Sequence, residues 1–100
     1  MAVLNVHLQD GFSGEPVTIR INGRIVAQRP SVKTRPQLGL ADVIQLSPPD
    51  ERLIVEIQLP AQSLTETVTL DPSRDLYLGV NLRADGTLTH QVSESPFGYV

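Results

Sequence analysis

The sequence predicts an all-β protein: a single-domain antiparallel β-sandwich, or flattened barrel, of about seven or eight short strands. Three observations lead there. Apolar and polar residues alternate with period two almost from end to end, the pattern of strands with one buried face. Turn-forming residues recur at the spacing of sandwich strands rather than of strand-helix-strand units. The chain is 100 residues long, the usual size of one domain, so residues 1–100 are read as one unit with one core. Leu, Val and Ile supply 30 residues, Trp is absent, and the only aromatics are Phe12, Tyr77, Phe97 and Tyr99, so that core is aliphatic.

The first strand places Ala2, Leu4, Val6 and Leu8 on one face, with Asn5 and a solvated His7 on the other. Residues 9–16, with Gly11, Gly14 and Pro16, read as a connection. Val17, Ile19 and Ile21 then alternate with Thr18, Arg20 and Asn22. Asn22-Gly23 suits a two-residue type I′ hairpin, whose central residues both need positive φ. That turn pairs Ile21 with Arg24, Ile19 with Val26 and Val17 with Gln28, which turns Val26 inward. Residues 30–42, carrying Pro30, Pro36 and Gly39, form the longest loop candidate. A strand near Val43–Leu46 stops at Ser47-Pro48-Pro49-Asp50, since proline cannot donate to a ladder. Leu53, Val55, Ile57 and Leu59 make the cleanest alternating strand, and after Pro60 the set Leu64, Glu66, Val68 and Leu70 follows. Asp71-Pro72-Ser73-Arg74 is a turn. Leu76, Leu78, Val80 and Leu82 form the next strand, Ala84-Asp85-Gly86 the next turn, and Leu88, His90 and Val92 the last regular face. By strand count and spacing the chain resembles the transthyretin-like, carboxypeptidase-regulatory-like and immunoglobulin-like sandwiches. It lacks the immunoglobulin Cys, Trp, Cys arrangement, and such folds host unrelated functions.

Composition removes several function classes. No uninterrupted apolar run exceeds four residues, Met1 to Leu4, far below the roughly 20 needed to span a bilayer. Nothing in Met1 to Leu8 reads as a signal peptide, so a soluble cytoplasmic protein is expected, a piece trimmed from a longer or secreted parent being the other reading. With no cysteine there is no disulfide, thiolate nucleophile or Cys-type zinc site. The net charge of -3 is uneven: Arg20, Arg24, Arg29, Lys33 and Arg35 stand in a stretch without acids, and residues 42–100 carry nine acids against three bases. This marks either a basic face or strands that compensate each other in the fold. Nucleic acid is not expected as a partner, because no aromatic lies between Gly14 and Leu76 to stack a base.

No catalytic, metal or nucleotide motif is present, so no enzyme activity and no cofactor is expected. His7 and His90 lack ligand-spaced companions, and His90, on the parity of Leu88 and Val92, reads as an inward, hydrogen-bonded structural residue. The serine elbow and the phosphate-cradling glycine patterns do not occur. Calcium could draw on Asp10, Ser13 and Glu15 or on Asp71, Ser73 and Asp75, but both groups also suit ordinary turn chemistry. Thr65, Thr67 and Thr69 line one face of a strand, a solvated β-favouring array. The tail, residues 93–100, is unusually apolar and should dock on its own domain or on a neighbour. The expected function is a non-catalytic interaction or assembly module that associates with itself or another protein. Its candidate surface is Arg29, Lys33, Arg35, Phe97 and Tyr99, with edge strands contributing ladder groups. The alternative is a carbohydrate-binding, lectin-like module, calcium-assisted through Asp10, Glu15, Asp71 and Asp75.

Overall fold

A computed structural model describes residues 3–49, 51–71 and 73–98. Among them the alternation becomes eight strands: β1 (Leu4–Leu8), β2 (Ser13–Ile21), β3 (Arg24–Lys33), β4 (Asp42–Leu46), β5 (Leu53–Leu59), β6 (Leu64–Leu70), β7 (Leu76–Leu82) and β8 (Leu88–Ser93), with one 3-10 turn at Pro60–Gln62. They form two four-stranded sheets, β4-β1-β7-β8 and β3-β2-β5-β6. No described helix is long and apolar enough to cross a membrane.

The even positions of β1 and β7 and the odd positions of β2 and β5 supply the core between the sheets. Val6, Leu8, Ile19, Val55, Ile57, Leu59, Leu78 and Val80 are wholly buried in one cluster. Along the two flanks β3 lies beside β4, and β6 beside β8. One pairing departs from the antiparallel expectation. β1 runs antiparallel to β4 but parallel to β7, with Val6 opposite both Ile44 and Leu78. The chain leaves this sheet after β1 and re-enters it twice from the other layer, so the neighbours of β1 come from distant sequence, which local alternation does not encode.

The hairpin forms where Asn22-Gly23 requires it, with φ of 51° and 83°. Its register holds for two pairs, Ile21 with Arg24 and Arg20 with Ile25, and then slips. Arg20 faces Ile25 and Ile19 faces Ala27, so Val26 is the extra residue of a bulge. Ala27 takes the core-facing place, and Val26 is 41% exposed instead of buried. Asn22 does more than turn the chain: its Oδ1 accepts from Ile54 N at 2.8 Å, fastening the hairpin to β5.

Two connections are shorter than the sequence suggests. β2 already starts at Ser13, and β3 continues through Pro30 to Lys33. β3 is an edge strand with register shifts opposite residues 13–17, so a proline there removes no required ladder bond. The remaining turn is closed by the Arg35–Leu40 bridge. It is fastened by Thr34, whose hydroxyl donates to Gln9 O at 2.6 Å and accepts from Phe12 N at 3.0 Å. Ala2, Asp50, Pro72, Tyr99 and Val100, to which strand, turn and tail readings were attached, lie outside the described residues.

Candidate functional site

The three basic residues of the expected surface meet on the flank of β3 and β4. A cleft of about 420 Å³ is walled by Lys33, Thr34, Arg35, Pro36, Ala41 and Asp42. Arg29 is tied across the two sheets by its Nε–Asp42 Oδ2 contact of 2.9 Å. Part of the basic stretch is therefore compensated within the molecule. Lys33 and Arg35 stay exposed at the cleft, and among the described residues that line it there is no aromatic ring that a sugar face or a base would stack on.

Phe97 is not with them. The chain after β8 folds back, as far as Phe97, over the outer face of the β4-β1-β7-β8 sheet and sets the Phe97 ring against His7, centroids 5.3 Å apart and edge to face. Tyr77, on the neighbouring strand, meets the same imidazole at 6.1 Å. His7 occupies the outer parity of β1 as expected, but it is 9% exposed rather than solvated, because two aromatic rings cover it. Burial strips water from the imidazolium and holds the His7 pKa below the ordinary value of 6.5. The unfolded chain then binds the proton more readily than the folded one. This contribution to stability is complete above that ordinary value and is lost as pH falls through the lower, folded-state pKa. Replacing Phe97 with alanine should move the His7 titration up toward the ordinary value and flatten the pH dependence of unfolding below the ordinary value of 6.5. Imidazole NMR shifts read the first effect, and an unmoved midpoint would remove Phe97 from this role.

The opposite flank, between β6 and β8, holds the other histidine. His90 pairs with the buried Val80 and so has inner parity, yet it is exposed because β8 is the last strand of its sheet. Its Nδ1 lies 2.6 Å from Glu66 Oε2 on β6, a hydrogen bond that ties the two sheets together at their open edge. Sequence reasoning expected the hydrogen bond but neither its partner nor the exposure. The signal was present: Glu66 is the one acid on the apolar parity of its strand, and His90 the one base on the apolar parity of β8.

The groups suggested for calcium are engaged separately. Glu15 accepts from Ser13 N and Oγ within its own turn, Asp71 faces Arg52, and Asp75 accepts from Val3 N at 2.8 Å. Among the described residues no three His, Cys, Asp or Glu side chains stand together as a metal site would need. Phe12, the aromatic nearest the first of these loops, is buried in the core.

The chain matches no protein-family model, no curated protein and no solved structure. Its surfaces are therefore read from their own geometry.

Proposed function

We propose that the chain is a β-sandwich of the transthyretin-like or immunoglobulin-like type that acts as a non-catalytic assembly module, associating with a second copy of itself through the flank of β6 and β8. A cytoplasmic setting suits its cysteine-free composition.

The carrying observation is that the flank of β6 and β8 is less guarded than the flank of β3 and β4. Edge strands offer unpaired N–H and C=O groups, and proteins blunt them with bulges, proline, positive charge or shortness. β3 has register shifts, Pro30, Arg24, Arg29 and Lys33. β4 spans five residues and runs into Pro48-Pro49. β6 has seven residues in unbroken register with β5, without proline, bulge or basic residue. Beneath it, on β8, Val92 pairs with the wholly buried Leu78 and shares its inward parity, yet is 42% exposed because the flank is open. A ladder edge beside uncovered apolar surface is what pairing with another chain would satisfy.

Light scattering over a dilution series from about 1 to 100 µM tests the reading. The expected mass is twice 10.9 kDa at the upper end. A monomeric mass throughout would overturn it. The carbohydrate alternative has less support, since three of the carboxylates it would use, Glu15, Asp71 and Asp75, are already bonded in separate places.

A further inference from the structure

The residues of β6, Leu64-Thr65-Glu66-Thr67-Val68-Thr69-Leu70, read almost identically in both directions about Thr67. Only Glu66 and Val68 break the symmetry. Such a palindrome matters on an antiparallel edge, because two copies related by a two-fold axis run past each other in opposite directions. With the axis through Thr67, Leu64 faces the partner's Leu70, Thr65 faces the partner's Thr69, and Thr67 faces the partner's Thr67. Glu66 faces the partner's Val68, so no like charges stand opposite each other.

We infer that two copies of this chain pair antiparallel along β6 in this register, joining their sheets into one of eight strands, β3-β2-β5-β6 continued by the same four strands of the second copy in reverse. The inference rests on the assembly reading above and adds the strand, the axis and the register.

Side-chain placement agrees with this arrangement on both faces. Thr65, Thr67 and Thr69 are exposed on the outer face, and the axis makes them three adjacent threonine pairs, a cross-strand pairing that β-sheets favour. On the inner face Val68 and Leu70 are buried, Leu64 is half-buried, and Glu66 is held from below by His90. A one-residue slip would set outer threonines against inner leucine and valine, so the alternation excludes odd slips, and the palindrome centres the pairing on Thr67. The same axis brings the two β8 strands together beneath the junction, where the exposed Val92 of each copy gains cover.

Single cysteines test the register, because the natural chain has none. Residues directly opposite in an antiparallel pair have Cα atoms about 4.5–5.5 Å apart, within disulfide reach. Under oxidised glutathione Thr67→Cys should give a disulfide-linked species of twice 10.9 kDa on a non-reducing gel. Thr65→Cys alone should stay single, since its own copy lies four residues along, about 13 Å away. Mixed chains carrying Thr65→Cys and Thr69→Cys should couple. As a second measurement, Thr67→Lys should weaken dimerisation at least tenfold by setting two ammonium groups face to face. Mixing it with Thr67→Glu should restore the dimer, both substitutions being on an exposed side chain that leaves the core untouched. If the natural chain is a dimer by light scattering but Thr67→Cys does not couple and Thr67→Lys does not weaken it, the register is wrong while the assembly reading survives. If the natural chain is monomeric, both fall.

Discussion

Gly11→Ala is expected to be the most damaging small substitution in the chain, lowering stability by about 3–5 kcal/mol and the melting temperature by roughly 15 °C or more. Gly11 has φ +93°, and a Cβ there would lie 1.7 Å from the carbonyl oxygen of Leu82. Backbone cannot yield cheaply at that point. Gln9 N donates to Val80 O at 2.8 Å and Leu82 N donates to Asp10 O at 2.9 Å, so the two residues just before the glycine clamp the loop after β1 to the end of β7. Gly23→Ala is the informative control. Its φ of +83° is equally positive, but nothing lies within 4 Å of the added methyl. That variant should lose only about 1–2 kcal/mol, the intrinsic cost of a side chain in left-handed backbone. Thermal melts of the two variants separate steric collision from conformational preference. Equal losses would show that the close approach to Leu82 is not what requires glycine.

Leu78→Ala should cost about 3–4 kcal/mol. Leu78 is wholly buried in β7, flanked on its sheet by Val6 and Val92 and facing the other layer. Deleting its branched end leaves a void that close-packed strands on both sides cannot fill. Val92→Ala, one ladder rung away on an edge strand, should cost under about 1 kcal/mol in a dilute monomer. If the flank is covered by a second copy, that loss grows with protein concentration, because the dimer buries what the monomer exposes. Denaturant melts at two concentrations check both statements. A Leu78→Ala loss below about 1 kcal/mol would mean that the core relaxes around the site.

Much of the fold was legible in the residues, and the failures have physical causes. The runs Leu4–Leu8, Leu53–Leu59, Leu64–Leu70 and Leu76–Leu82 appear as strands because their alternation already separates a buried face from a polar one. The Asn22-Gly23 turn was equally plain, but the bulge at Val26 was not. A bulge changes which residue faces inward without altering local composition, and here it is Ala27, not Val26, that packs against the core. Pro30 reads from sequence as the start of a loop, because its edge position follows from strand order, which sequence does not reveal.

Where the candidate residues lie was legible in the same partial way. Lys33 and Arg35 do share a cleft, while Arg29 is drawn off by Asp42, an acid thirteen residues later that only folding brings near. His7 was assigned to the correct face of β1, yet its burial depends on Phe97, ninety residues away.

What the amino-acid order determined by itself is the alternation, the turns and the palindrome of β6, all properties of neighbours along one strand. Tertiary structure alone decided which strands became edges, that β1 lies parallel to β7, that His7 is covered and that His90 meets Glu66. The reason is that each of these compares surfaces far apart in the chain. Period-two patterning states that a face is to be buried, and only the assembled layers determine what buries it.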